Sequence, residues 1–177
     1  LSDRRQRQMC IRDSKKTALE WYEKAGKAGN AQGQHNAGIF YFEGRGVEQN
    51  YPAAYEWFLR ATDNEYPPSQ YMLGLMYHQG YGVAINFERA KLWFLKSAKQ
   101  GYANAQFMRA FMVQAGEGER SNPPMAMVWA LVAEKNGKEN TVKITVPASM
   151  TMTELEITTA EKIANECFQS NYQNCPE

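Results

Sequence analysis

The chain has little of what marks the specialised classes of protein. Three cysteines in 177 residues are too few for a disulfide-dense secreted scaffold. Its two histidines, His35 and His78, lie 43 positions apart with no Cys or acidic partner at ligand spacing, so a metal site of three or four convergent ligands is not expected. Neither has a Ser or Cys nucleophile beside it in sequence, and catalysis is not expected either. Charge of one sign is also lacking. Lys and Arg number 20 against 19 Asp and Glu, a formal net charge of +1, which leaves no global field to gather nucleic acid or anionic membrane. The longest apolar run, Met125 to Ala133, has nine residues, about half of the 18 or more that span a bilayer. Low-complexity tracts are missing, and aromatic residues at 12% with 13 scattered glycines speak against disorder. A chain of this length buries roughly 70% of its unfolded surface and stands alone as one domain or one uninterrupted array.

What is present is periodic. Trp21, Trp57, Trp93 and Trp129 are each 36 residues from the next, and a period between 20 and 50 signals a solenoid before anything else. Ala18, Ala54, Ala90 and Ala126 keep the same step, as do Gln34, Gln70 and Gln106, and the glycines at 44, 80 and 116 and at 46, 82 and 118. Each unit reads as two helices. The first runs near 31–43, 67–79 and 103–115, with Gly33, Ala37, Phe40 and Tyr41 tracing one buried face. It ends at Gly44, Gly80 or Gly116, where the chain leaves through a left-handed residue. Asn50, Asn86 and Asn122 then cap a second helix near 51–63, 87–100 and 123–136, whose first copy is 15–27. The Gly-x-Gly pairs follow helices and lack the Lys-Ser/Thr of a nucleotide loop, so they read as interhelical turns. The tryptophans, which recur with the small core residues, read as packing residues explained by burial.

The assembled pattern is Ala-Gln-x-x-Leu-Gly-x-x-Tyr-x-x-Gly-x-Gly-Val followed by Ala-x-x-Trp-Phe-x-x-Ala. It is fullest at Ser69, Gln70, Leu73, Gly74, Tyr77, Gly80, Gly82, Val83, Asn86, Ala90, Trp93, Phe94 and Ser97, and it resembles the Sel-1-like repeat family over residues 15–137. The resemblance implies an all-α, right-handed α/α solenoid related to tetratricopeptide repeats, in a family whose members serve mainly as adaptors. The third unit departs from the pattern with Arg109 for Leu, Val113 for Tyr and Glu119 for Val, as expected of a terminal unit turned polar to cap the array.

Residues 1–13 share nothing with the repeat, carry four Arg against two Asp, and resemble a translated sequencing adaptor. They are expected to be non-native or disordered, with the native start and any signal peptide elsewhere. The solenoid is expected over 14–137. Thr141 to Val146 alternates like a strand, but a single strand has no partner in a helical array, so 138–152 is expected to be a linker. At 153–177 a capping helix and tail are expected, with Thr153 and Glu156 as a capping box and an apolar face at Ile157, Ala160, Ala164, Cys167 and Phe168.

Cys167 and Cys175 on one continuous helix would be about 12 Å apart in rise, beyond the roughly 7 Å limit for a bridge. A disulfide between them requires the helix to end near Ser170 or Asn171 and the chain to fold back through Tyr172. The ending also resembles that of exported bacterial members of the family. A bridged periplasmic or secreted protein is favoured over two free cytosolic thiols.

The expected function is non-enzymatic: a cofactor-free, monomeric adaptor presenting a concave groove of first helices to a peptide or protein, without nucleic acid. Positions fixed by the repeat serve architecture, so partner contacts are expected at Asn36, Glu43, Tyr71, His78, Gln79 and Gln114. A competing reading assigns the stripe His35, Ile39, Phe42 and its copies Tyr71, Leu75, His78, Phe107, Phe111 and Gln114 to inter-repeat packing. The alternative function is a small-molecule or cell-wall-active enzyme, since cysteine-rich relatives are described as β-lactam binding or hydrolysing. Those carry a cysteine pair in each repeat, which this chain lacks.

Overall fold

The computed structural model describes the backbone of residues 2–177 and the side chains of residues 11 and 13–177. Among the described residues there are helices and no strand: α1 (Ser2–Lys27), α2 (Ala31–Glu43), α3 (Tyr51–Thr62), α4 (Pro67–Gln79), α5 (Phe87–Ala98), α6 (Ala103–Ala115), α7 (Pro123–Lys135), α8 (Val142–Ser149) and α9 (Glu154–Gln169). Each of the first seven packs on its neighbours in sequence, and α7 also carries α8 and α9. The result is an all-α solenoid of helical hairpins.

Local chemistry sets the helix ends. Asn50, Asn86 and Asn122 accept the backbone N–H three residues on, at 2.9, 2.9 and 3.1 Å, satisfying a donor that the first turn leaves unpaired. Gly44, Gly80 and Gly116 close the first helices at φ of 70°, 77° and 75°, where a Cβ would be strained. The recurring glutamine has a capping role as well. Gln34 Nε2 donates to the Gly26 carbonyl and Gln106 Nε2 to that of Ala98, both at 3.0 Å, so α2 and α6 each add a side-chain bond to a last-turn carbonyl of the preceding second helix that also accepts the backbone N–H of Gly29 or Gly101, whereas Gln70 accepts from Gln100.

The core is built by the residue after each tryptophan as much as by the tryptophan itself. Phe58 and Phe94 are fully buried against Gly38 and Gly74. The tryptophans differ from the uniform burial expected of them. Trp129 is fully covered and Trp57 is 8% exposed, Trp93 is half-buried, and Trp21, on α1 ahead of the first complete unit, is 64% exposed. The residue beneath explains part of this. Trp57 lies over Gly26, whereas the corresponding neighbour of Trp93 is the bulkier Thr62, which lines a cleft with it. On the outer side a cation covers three of the four rings, with Lys24, Arg60 and Lys96 4.8–5.5 Å from the centroids of Trp21, Trp57 and Trp93.

The third unit is not polar in the way a capping surface would be. Arg109 is fully buried and forms an ion pair with Glu119, with a second bond at 3.3 Å. The two polar replacements meet each other inside the unit, and the end of the array is covered instead by α8 and α9. The 138–152 stretch, read as linker, contains α8. Ile144 and Ala148, four residues apart, are buried together while Val142 and Val146 face outward, so its apolar residues follow a helical period and not the strand-like alternation.

The backbone of residues 2–13 continues α1. Whether those residues are foreign to the protein is an expectation that falls largely outside the described side chains. At the other end Thr153 and Glu156 form a capping box, and the buried face of α9 is Ala160, Ala164 and Cys167, with Phe168 turned outward. After Gln169 the chain reverses through Asn171 and Tyr172 at φ of 52° and 67°. This brings the Cα of Cys175 within 4.6 Å of that of Cys167, and the two sulfurs are bonded. No helix among the described residues is long and apolar enough to cross a membrane.

Candidate functional site

The first helices set three copies of one face side by side, because Asn36, Met72 and Met108 are one period apart, as are Ile39, Leu75 and Phe111, and Glu43, Gln79 and Ala115. Offsets of three and seven put each helix's set on a single face. Ile39, Met72, Leu75 and Met108 are half-buried against the core, and Phe111 is 40% exposed. The centre of this face is therefore apolar and rich in methionine, with polar residues toward its ends.

The six expected contact residues fall into different environments. Asn36 is half-buried on α2. Glu43 is exposed at the end of α2 and paired with Arg45. Tyr71 packs against Phe94 and Tyr102, with ring centroids 5.7 and 5.4 Å away, and burial pushes its phenol pKa up. His78 is 8% exposed. Its Nδ1 lies 2.6 Å from the Gln79 amide nitrogen and its Nε2 2.7 Å from Glu117 Oε2. With Gln79 donating to Nδ1, the proton on Nε2 donates to the carboxylate. Phe87, Phe94 and Phe111 surround the ring. Gln79 is exposed apart from that bond, and Gln114 is half-buried with Oε1 lacking a partner. The structure thus joins His78 and Gln79 to Glu117 and Phe111, places Tyr71 in the seam between units, and leaves Asn36 and Glu43 apart on α2.

The stripe weighed as packing does make contacts between units. His35 Nδ1 is 2.9 Å from Ser69 Oγ of the next unit, and its ring lies among Phe58 and Tyr66. Burial lowers the His35 pKa from 6.5 to about 4. Phe42 reaches Tyr51, Phe58 and Tyr81. Among the described residues no group of three or more His, Cys, Asp or Glu side chains converges to hold a metal.

Sequence reasoning missed the His78–Glu117 pair, two residues 39 apart in the chain that link adjacent units. It also missed a cluster joining α3, α4 and α5, where Tyr55 Oη lies 2.9 Å from Tyr77 Oη and Arg89 Nη1 donates to Tyr77 Oη at 3.2 Å. The available signal was positional. Arg89 stands where the other units have Thr17, Ala53 and Met125, and Glu117 where they have Arg45 and Tyr81.

The family model of the Sel1 repeat matches residues 6–30, 31–66, 67–102 and 103–138. Among solved structures, a Sel1 repeat protein from Oxalobacter formigenes is similar at 27% identity and a TM-score of 0.65, over 73% of this chain and 97% of that one. The c5321 protein, a protective antigen present in uropathogenic Escherichia coli strains and displaying an SLR fold, is similar at 21% identity and a TM-score of 0.63. That similarity covers 87% of this chain and 42% of c5321. Among curated proteins none matches the chain.

Proposed function

The chain belongs to the Sel1 repeat family, whose members are generally protein-interaction modules, and from that premise we propose that it is a non-enzymatic adaptor holding a peptide or protein partner on the concave side of the array, along α2, α4 and α6. The observation that carries the reading is the aligned apolar strip of Ile39, Met72, Leu75, Met108 and Phe111. Partly exposed methionines and an aromatic in a row suit an adaptable apolar surface, the kind that receives the hydrophobic side of a peptide. Asn36, Glu43, Gln79 and Gln114 supply polar contacts at its margins. His78 and Tyr71 act beneath that surface, His78 by holding Gln79 and Tyr71 by fixing the seam. The partner is protein and the chain acts as a monomer. The Cys167–Cys175 bridge accords with an oxidising compartment.

The test begins with a partner recovered by pull-down and identified, whose affinity is then measured against two variants. The combined change Asn36→Ala, Glu43→Ala and Gln79→Ala, and separately Phe111→Ser, should each weaken binding at least tenfold, about 1.4 kcal/mol. The triple change should leave helix content unchanged and lower stability by no more than about 1–2 kcal/mol, since Glu43 is exposed, Asn36 is half-buried and Gln79 gives up one hydrogen bond to His78. Binding that survives both variants moves the site off this face.

A further inference from the structure

A second surface stands apart from the strip on the first helices. Between the second helices of adjacent units, Tyr55 of α3, Tyr77 of α4 and Arg89, Leu92, Trp93 and Lys96 of α5 line a cleft of about 320 Å³. Its wall is aromatic and its two cations are held by aromatic groups. Arg89 lies 5.4 Å over the Tyr77 ring and donates to the Tyr77 hydroxyl, and Lys96 lies 4.8 Å over the Trp93 ring.

Neither cation meets a carboxylate within 4 Å among the described residues, whereas Lys27, Arg45, Lys91, Lys99, Arg109 and Lys162 all do. Aromatic support orients a charge without neutralising it, which leaves the group ready for an external anion. Two acids lie nearby, Glu56 in the adjoining depression with Asn50 and Pro52 and Glu65 in the cleft it shares with Trp93 and Lys96, and neither forms an ion pair with Arg89 or Lys96.

The Trp93–Lys96 pair recurs in the preceding units as Trp57–Arg60 and Trp21–Lys24, but Arg89 and Leu92 do not belong to the repeat. Leu92, 56% exposed at the lip, stands where the two preceding units carry Glu20 and Glu56, and Arg89 stands where they carry Thr17 and Ala53. Only this unit exchanges an acid for an apolar side chain and a small residue for a cation at those two positions. Together the changes turn a negative lip into an apolar one flanked by positive charge.

We infer that this cleft binds an acidic peptide segment, seating one apolar side chain against Trp93 and Leu92 while carboxylates on either side pair with Arg89 and Lys96. The volume accommodates one large side chain, and the seven residues from Arg89 to Lys96 correspond to about 10 Å of helix rise. That separation calls for two acids flanking the apolar residue and is too wide for a single carboxylate. The site is independent of the strip on α2, α4 and α6 and serves a different segment or a different partner.

The experiment is a fluorescence-anisotropy titration of the full chain with the labelled peptide Glu-Ser-Phe-Ser-Glu, alongside the same peptide with Gln for Glu and with Ala for Phe. The Glu-Phe-Glu form should bind saturably, each control should bind at least tenfold more weakly, and the Trp93 indole N–H resonance should shift on binding. Arg89→Ala and Leu92→Glu install residues that the preceding unit already carries, so the fold should keep its thermal midpoint while peptide affinity drops at least tenfold. The Asn36, Glu43 and Gln79 triple variant should bind this peptide as the unaltered chain does. The inference is overturned by equal binding of the Gln peptide, by undiminished affinity in Arg89→Ala and Leu92→Glu, or by no saturable binding at millimolar peptide. Tighter binding of a single-stranded oligonucleotide that displaces the peptide overturns it as well.

Discussion

The ring of Phe94 occupies the space that a side chain at Gly74 would need: a Cβ built there would lie 2.6 Å from both Cδ1 and Cε1 of the ring. The previous unit repeats the relationship with Phe58 over Gly38. In the third unit both members change at once, to Ala130 and Ala110, and both are fully buried. Ring and glycine behave as one packing element, exchanged for a pair of methyl groups where the array meets its C-terminal helices.

Gly74→Ala should therefore destabilise by about 1–3 kcal/mol through overpacking, and Phe94→Ala by about 3–5 kcal/mol through the cavity it leaves. The double variant, which copies the third unit, should cost less than the sum because the new methyl occupies part of that cavity. Trp129→Ala should match Phe94→Ala in cost, while Trp21→Ala at an exposed site should stay within about 0.5 kcal/mol. Urea unfolding of the five proteins checks the set, and an additive double mutant would separate the ring from the glycine.

For the buried ion pair, Glu119→Val should cost about 3–5 kcal/mol, because Arg109 is left charged and enclosed. Arg109→Leu should cost less, since Glu119 keeps some solvent access and has Lys91 4.0 Å away. The double change to Leu and Val restores the residues of the second unit and should equal or exceed the parent in stability. Thermal midpoints of the three variants give the order, and a double variant worse than Glu119→Val would show that the pair itself stabilises the unit.

His35 should make stability depend on pH. Burial lowers its pKa from the usual 6.5 to about 4 in the folded chain, so on acidification the unfolded chain takes up a proton that the folded chain refuses. The contribution is complete above about pH 6.5 and is lost as pH falls toward 4. Between neutral pH and pH 5 the loss should be about 2 kcal/mol. His35→Phe, which installs the residue of the third unit at position 107, should remove that component of the slope whatever its cost at neutral pH. Unfolding free energies at several pH values in both proteins provide the comparison, and parallel slopes would remove His35 as the source.

Intact mass after oxidative expression should show the loss of two hydrogen atoms, reversed by reductant and mapped by digestion to Cys167 and Cys175. Replacing both by serine should lower stability by about 2–3 kcal/mol in the chain-entropy model. Free thiols at Cys167 and Cys175 in the oxidised sample would exclude the bridge in solution, whereas one at Cys10 would not bear on it.

Much of the architecture is legible in the sequence because periodicity reports directly which positions the fold holds constant. The Asn caps at 50, 86 and 122 and the Gly stops at 44, 80 and 116 are local devices, and local chemistry reads without tertiary knowledge. Exposure is different. Trp21 and Trp129 occupy the same repeat position, yet what covers each ring depends on neighbours outside its own unit. Arg109 and Glu119 each read as a loss of apolar character, because a residue-by-residue comparison does not reveal that two losses ten positions apart face each other. In α8, five alternating residues suggest a strand, and only the presence of α7 selects Ile144 and Ala148 as the buried pair. The candidate contacts were legible as variable positions, but the enclosure of His78 depends on Glu117 and Phe111 from the following unit.

The tail beyond α9 reaches back over the array. Tyr172 lies against Gly101 and its hydroxyl donates to Asn136 at 2.8 Å, while Glu177 pairs with Lys99. In an array whose units hold only their neighbours, such a clasp gives the molecule a polarity that its repeats do not have. Fraying then starts from the α1 end and travels toward the bridge, so amide protection should climb from the first unit to the last, and a protease should shorten this protein from its N-terminal side.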